Sequence, residues 1–476
     1  YASPKLVNLF VFDNYAHDRG GGIYNGNSSA ALVNTVVTRN SSQYSGGGIY
    51  NFYAPVKIIN STIAHNHSER VGGVRNLGLE SQVVMTNSIV SGNTKTANDP
   101  ENVNLSNLGG ATITYHHSFV QQLTTADAQG NIDGALDPLF VNVPANNFRL
   151  LSCSPMINAG TNTAFAVGQT PDLSAITTDL DGDPRMYNGG VVDLGAYENE
   201  DTVFTTLYVD GTASGSNDGT SWANAYTSFA EAVLTAHKCV AVNQILVAEG
   251  TYYPEYSAAH STTPPTPRHR SFSFRRGGLE VLGGYPSGGG SRNASLHPTV
   301  LSGNIGNPAV ATDNVFHVMI TYGSAVDQTF KFDGFTIMNA NVNSSSTTTT
   351  VLGGGIVQND EGGGWNNTLG SPAISNVVIS GNSGYIGTGF YNELGNPSLT
   401  NVLISGNNGD YGVGIYDRGG NAVLKNCTIT GNRSLLEGGG IRINGGNPVI
   451  ANCIIYGNTA PQNPEINIVT GTPVIS

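Results

Sequence analysis

Asn8-Leu9-Phe10-Val11-Phe12-Asp13-Asn14 is the first of eight copies of the pattern Asn-x-x-aliphatic-x-x-Asn; the others start at Asn34, Asn60, Asn87, Asn376, Asn401, Asn426 and Asn452. Successive starts lie 26, 26 and 27 residues apart in the first group and 25, 25 and 26 in the second. A fixed period of this size is the signature of a solenoid, in which each turn buries its apolar face against the next. The residue two before the first Asn is always apolar (Leu6, Leu32, Ile58, Met85, Ile374, Leu399, Leu424, Ile450), and so is the residue three after it (Val11, Val37, Ile63, Val90, Ile379, Ile404, Ile429, Ile455). Inward positions at Asn−2, Asn+1 and Asn+3 break strict alternation at the Asn, which predicts a corner there between two short strands. Asn suits a corner because it tolerates left-handed backbone better than other residues with a Cβ. Asp333 to Asn339 reads as a further, degenerate copy, with Asp333 in the corner and Thr336 in the aliphatic place.

Between the copies lie glycine turns that feed a third strand: Gly20-Gly21-Gly22-Ile23-Tyr24-Asn25, Gly46 to Asn51, Gly72-Gly73-Val74, Gly353 to Ile356, Gly387 to Asn392 and Gly438 to Ile441. Three strands and three corners per turn of about 25 residues describe an all-β parallel β-helix, with stacked Asn side chains bonding from coil to coil at the first-Asn corners.

Composition fits one elongated repeat architecture: 476 residues with 62 glycines and 11% charged residues. A net charge of −13 without a basic run excludes a nucleic-acid partner and argues against an anionic membrane surface. No apolar run of 18 residues marks a membrane-spanning segment. The chain opens on Tyr1 with no initiator Met or signal peptide, so the gene product is expected to begin upstream. Among the four cysteines, Cys427 and Cys453 follow corner asparagines 26 residues apart. They are either a coil-to-coil disulfide or two small buried residues, since Thr35, Ser61, Ser88, Val377 and Val402 fill the same place elsewhere. Cys153 and Cys239 have no evident partner.

The clear coils stop near Phe119 and resume after about residue 330. Residues 1–120 read as the coils of one module and 121–200 as its closing segment. Residues 201–330 read as the opening segment of the next module, with its first coils, and 331–476 as that module's remaining coils. Residues 227–240 form the one convincing helix, with Phe229, Val233, Ala236 and Val240 at helical spacing, and should cap an open coil. Residues 261–269 and 341–351 are expected to be surface loops. Ser3-Pro4-Lys5-Leu6-Val7-Asn8 matches Ser371-Pro372-Ala373-Ile374-Ser375-Asn376 at an offset of 368, and Asn98-Asp99-Pro100-Glu101 matches Gln462-Asn463-Pro464-Glu465 at 364. The module length is therefore near 365 residues.

Asp179-Leu180-Asp181-Gly182-Asp183-Pro184-Arg185 followed by Asp193-Leu194-Gly195-Ala196-Tyr197-Glu198 resembles the ending of the choice-of-anchor Q family of bacterial surface proteins. Together with Asn217-Asp218-Gly219-Thr220-Ser221-Trp222 it resembles the right-handed parallel β-helix proteins of the pectate-lyase-like superfamily, and the Gly-Gly-Gly-Ile coils resemble polymorphic outer-membrane adhesins. The resemblance implies secretion, surface display and a right-handed coil, and it does not by itself imply catalysis.

Polysaccharide lyases and hydrolases on such a fold need clustered acids. Only Glu393 and Asp417 approach neighbouring register, and they read as an accidental surface pair. His65-x-His67 and His116-His117 lack further ligands at metal spacing. Asp179, Asp181 and Asp183 are the candidate calcium ligands, alternating on a glycine-bent loop; the competing reading is a turn whose Asp side chains accept backbone N–H groups. Tyr24, Tyr50, Tyr391 and Tyr416 form either a packing stripe or a sugar-stacking stripe. Sequons at Asn60 and Asn426 fall on corners, so a glycan is more easily placed at Asn343. The sequence therefore points to a non-catalytic, extracellular structural or adhesive protein that forms or extends a surface filament, with copies of itself or neighbouring modules end to end as partners and surface glycans as a further candidate. The alternatives are a carbohydrate-active enzyme and a non-catalytic glycan-binding module.

Overall fold

Every corner Asn of the eight copies takes positive φ, between 43° and 55°, which turns the chain from one short strand into the next. The strands on either side then pair in parallel with their counterparts one coil away: Leu6 with Leu32, Leu32 with Ile58, Ile374 with Leu399, Leu399 with Leu424 and Leu424 with Ile450. In this computed structural model the protein is a parallel β-helix carrying, among the described residues, one α-helix. It describes residues 2–98, 100–200, 204–260, 264–342, 349–352, 355–358 and 362–476, with the backbone alone at 188, 349–352 and 355–358. The Asn343 sequon and the Gly353 turn lie wholly or partly outside the described residues.

The chain divides into two compact units, Tyr1–Val203 and Phe204–Ser476. In the first, parallel sheets of five, five, four and four strands wrap the core, the additional short strand running through Tyr15–Ala16, Ser41–Ser42, His67–Ser68 and Thr94–Lys95. The core is a column of Asn−2 and Asn+3 side chains, Leu32, Ile58, Met85, Val37, Ile63 and Val90, completed by Ile49 and Val74. The second unit has sheets of nine, seven and seven strands. Its helix, Phe229–Lys238, starts at the Ser228 cap, whose hydroxyl accepts from Glu231 N. Phe229 packs among Tyr252, Phe272, Phe274 and Phe335, so the helix covers the opening coil as a cap should. Val240 lies past the helix end and is exposed.

Two registers differ from the sequence reading. Asp333 pairs with Ser375 and Ile337 with Ile379, so the corner equivalent to Asn376 is Gly334, at φ 84°, and Ile337 holds the aliphatic place. Glycine replaces Asn there at no conformational cost, which shifts the apparent motif by one residue. The continuous asparagine ladder also lies elsewhere. It runs through the last Asn of each motif, from the exposed Asn14 to the buried Asn40, Asn66 and Asn93 in one unit, and through the buried Asn382, Asn407, Asn432 and Asn458 in the other. Each amide nitrogen donates to the Oδ1 of the next coil at 2.9–3.1 Å, and that Oδ1 also accepts the preceding coil's backbone N–H. A second ladder links Asn25, Asn51, Asn76 and Asn107 at 2.7–3.0 Å. The first-Asn corners are only partly laddered, as in Asn34 to Asn8 and Asn87 to Asn60, because their side chains serve another purpose.

Cys427 and Cys453 are free thiols. The Cys427 backbone N–H donates to Cys453 Sγ at 3.4 Å, as Thr35 N donates to Ser61 Oγ and Ser61 N to Ser88 Oγ, so the thiols replace hydroxyls in an Asn+1 ladder. Cys153 and Cys239, without partners in the sequence reading, are both disulfide-bonded. Neither occupies a repeat position, so coil register gave no sign of it.

Candidate functional site

The densest cluster of buried charge sits in the Asp179–Glu198 segment, which lies along the side of the coils. Outward side chains two residues after the corner, namely Phe10, Val36 and Ile89 after Asn and Phe119 after His117, are apolar and pack against Phe140, Phe148, Met156, Leu194 and Tyr197. Outward residues at Asn−1, Val7, Val33 and Ile59, pack against Phe165, Leu173 and Val192. The corner asparagines supply the polar contacts. Asn34 donates to Thr178 O at 2.9 Å, Asn60 to Asp193 O at 3.2 Å and Asn87 to Thr161 O at 2.9 Å, while Thr161 N donates back to Asn87 Oδ1 at 2.8 Å. Ala196 N donates to Thr62 Oγ1 at 3.3 Å, and Gly195 N to Asn87 O at 2.8 Å. Gly195, at φ 95°, has no room for a side chain: a Cβ would stand 2.8 Å from Thr62 Oγ1 and 3.0 Å from Ile89 Cδ1.

Arg185 is the centre of the cluster. Its Nη1 meets Glu198 Oε1 at 2.6 Å, and its Nη2 donates to Asn34 Oδ1 at 2.6 Å and Ala196 O at 3.2 Å. The Arg185 and Glu198 side chains are 1% and 4% exposed. Glu198 Oε2 accepts from Asp193 N at 2.9 Å, and the two Asp193 oxygens accept from Asn158 N and Asn199 N, each at 2.7 Å. The Asp-Gly-Asp-Pro-Arg and Asp-Leu-Gly-Ala-Tyr-Glu runs are thus two halves of one clasp that fastens the segment to the coil. Burial pushes Glu198 up to about 8, against the opposing pull of Arg185, and Asp193 up to about 6, against its two N–H bonds.

Both carboxyls hold protons more tightly in the folded chain than in the unfolded one, where they titrate near 4. Their contribution to stability is therefore full below about pH 4 and falls as pH rises through about 6 and about 8. Burial lowers the pKa of His65 in the same unit, which works in the opposite sense. The comparison is therefore with a variant: Glu198→Gln is expected to flatten the loss of stability between pH 6 and pH 8.5 in urea titrations. An unchanged pH profile would show that Glu198 does not titrate there.

The three candidate calcium ligands do meet, with one oxygen from each of Asp179, Asp181 and Asp183 within 4.8 Å of the others. Asp179 Oδ1 accepts the N–H groups of Asp181, Gly182 and Asp183 at 2.8–2.9 Å, and its Oδ2 accepts Glu198 N at 2.8 Å. Asp181 pairs with Arg149 at 2.7 Å. Four N–H groups on one carboxylate favour the turn over the metal site, since a cation would compete with donors already in place. Millimolar calcium is accordingly expected to leave the melting temperature at its value in chelator, as read by differential scanning fluorimetry; a rise of several degrees would restore the metal reading.

The other candidates separate. Asp417 is buried in a ladder, accepting from Asn392 Nδ2 at 3.0 Å, while Glu393 pairs with Arg418 at 3.5 Å and stands in register with it. They form no acid pair. The tyrosines form packing columns: Tyr24 stacks on Tyr50 with ring centroids 5.5 Å apart, and Tyr391 on Tyr416 at 5.7 Å. Arg75 follows Tyr50 in register, and Arg442 follows Tyr416. His67 Nδ1 bonds Thr94 Oγ1 at 2.9 Å, and His65 lies beside Phe148. Asn60 is buried, which excludes a glycan at that sequon, whereas Asn426 is exposed. Among the described residues no helix is long and apolar enough to cross a membrane. A scan against protein-family models, a search of curated proteins and a search of solved structures each returned no match.

Proposed function

We propose that this chain is part of a secreted, non-catalytic structural or adhesive protein that repeats one β-helix module along its length and builds an extracellular surface filament, as its resemblance to pectate-lyase-like and choice-of-anchor Q proteins implies. The observation that carries the reading is a duplicated outward column. Tyr24, Tyr50 and Arg75 in one unit recur as Tyr391, Tyr416 and Arg442 in the other, at offsets of 367, 366 and 367, each set in continuous coil register. Repetition of a whole packing column serves a rod that gains length by adding modules. The stacked positions are filled by amides and hydroxyls that bond to one another, which stiffens the coil and leaves no paired carboxylates for glycosidic chemistry at Glu393 and Asp417. The disulfide-bonded state of Cys153 and Cys239 supports an oxidising compartment.

The test combines negative-stain imaging of native material with turnover assays on polyuronates and neutral polysaccharides. Continuous fibres without turnover fit the proposal. Turnover that disappears in the Glu393→Gln/Asp417→Asn double variant would replace it with an enzyme, and selective capture on a glycan array without turnover would replace it with a glycan-binding module.

A further inference from the structure

The strip of coil surface that the clasp segment covers in the first unit is present a second time in the second unit. Val36, Thr62 and Ile89 become Leu403, Thr428 and Ile454, and the corners Asn34, Asn60 and Asn87 become Asn401, Asn426 and Asn452, all at offsets of 365–367. The backbone geometry is the same, with corner φ values of 43–53° in the first strip and 54–55° in the second. Their surroundings differ. Ile89 is fully buried while Ile454 is 63% exposed. Asn34, Asn60 and Asn87 are buried and bonded to the clasp segment, whereas Asn401, Asn426 and Asn452 are exposed. Among the described residues the Asn426 and Asn452 side chains have no hydrogen-bond partner. At the head of the strip a cavity of about 320 Å³ opens between Ala294–Ser295 and the coil residues Thr336, Val378, Asn401 and Leu403.

We infer that this strip is the docking surface for a second clasp segment, of the same kind as residues 154–198, contributed by the continuation of the module to which the second unit's coils belong. The inference rests on the tandem reading above. The chemistry is specific to such a segment. Each open corner amide offers one donor and one acceptor at coil spacing, which in the first unit are met by backbone carbonyls, a backbone N–H and the Arg185 guanidinium. Thr428 offers the hydroxyl that in Thr62 takes the Ala196 N–H, and Ile454 offers the methyls against which Gly195 lies beside Ile89. Ser375, Thr400, Lys425 and Ala451 stand at the Asn−1 positions where the first unit has Val7, Val33, Ile59 and Thr86. The second segment is therefore held mainly along the Asn+2 line, with a polar flank in place of the pocket around Phe165.

Register makes a direct test possible. Tyr115 stands over Met85 and Ile475 over Ile450, so Ser476 occupies the place of His116, and a second copy of residues 117–200 joined after Ser476 continues the coil in phase. In that extended chain a photo-crosslinking phenylalanine at Ile454 is expected to capture the appended Leu194–Ala196 stretch, identified by mass spectrometry. Leu403→Asp should reduce capture at least tenfold. A folded extended chain that cross-links elsewhere, or not at all, overturns the inference. Should the extended chain not fold, the unextended chain carrying the photo-crosslinker and a synthetic 154–198 peptide decides: capture abolished by Leu403→Asp supports docking, and no capture refutes it. Polysaccharide turnover together with capture would remove the structural reading and leave the docking intact, whereas fibres without capture would do the reverse.

Discussion

Replacing Arg185 by Met is expected to cost about 3–5 kcal/mol above about pH 8, where Glu198 is ionised, the range for removing one partner of a buried ion pair. The guanidinium pairs with Glu198, and its removal also empties the Asn34 Oδ1 and Ala196 O acceptors. Glu198 can relieve part of the loss by taking a proton, so the penalty should be larger at pH 8 than at pH 5. Urea titration gives the free energy, and limited proteolysis gives the location: new cleavage should concentrate between residues 158 and 198 while the coils resist. Pairing Arg185→Met with Glu198→Leu should recover part of the loss, because removing both charges is far cheaper than stranding one. A double variant as unstable as the sum of the two singles would show that the pair contributes nothing as a pair.

The second large effect is expected inside the coil. Asn432 accepts from Asn407 N at 3.1 Å and Asn407 Nδ2 at 2.9 Å, and donates to Ile404 O and Asn458 Oδ1, both at 2.9 Å. Asn432→Ala strands two buried donors, each costing about 1–3 kcal/mol, so a loss of about 3–5 kcal/mol is expected. Asn432→Asp should be no better, since a carboxylate keeps the acceptors but cannot donate to Ile404 O and faces Asn458 Oδ1. The chain shows where an acid is tolerated. Asp417 accepts from Asn392 and from Gly420 N, and the residue in register beyond it is Ile443, which asks for no donor. Glu465 ends the other ladder in the same way, its carboxylate accepting from Gly457 N at 2.9 Å and Asn458 Nδ2 at 2.7 Å. Asp417→Asn keeps an acceptor for Asn392 and Gly420 N and gives up the 3.3 Å bond from Ala422 N to the second oxygen, so it should cost little while Asn432→Asp unfolds the chain early, a contrast that thermal melts would read directly. Equal effects at the two positions would mean that ladder polarity is irrelevant.

Periodicity made the coil legible because a stacked position sees one environment in every turn. Leu32, Ile58 and Met85 declare their column without any knowledge of the rest of the chain. The identity of the buried ladder was less accessible: the first and last asparagines of the motif recur equally well, and only the corner φ separates the residue that turns the chain from the one that faces inward. Gly334 escaped because a glycine corner needs no Asn. The clasp was visible as a motif but not as a device, since Thr178 and Arg185 lie 144 and 151 residues from the Asn34 corner they touch and carry no period. Its carboxylates suggested calcium because they alternate on a bent loop, and the four N–H groups that Asp179 accepts, which favour the turn, carry no mark in the sequence. One hint lay in the outward positions, where Val7, Val33 and Ile59 are more apolar than a solvated face requires.

Each buried amide in these ladders accepts from the coil before it and donates to the coil after it, so every interior rung presents the same two faces to its neighbours. Length is consequently an adjustable quantity in this architecture. Duplicating one whole turn leaves every remaining donor matched, whereas a partial turn strands the rungs at its point of insertion unless the added residues loop out of the stack, as they do between Asp333 and Ser375, paired 42 residues apart, so genes for such rods can lengthen by whole turns or by loops that leave the register untouched.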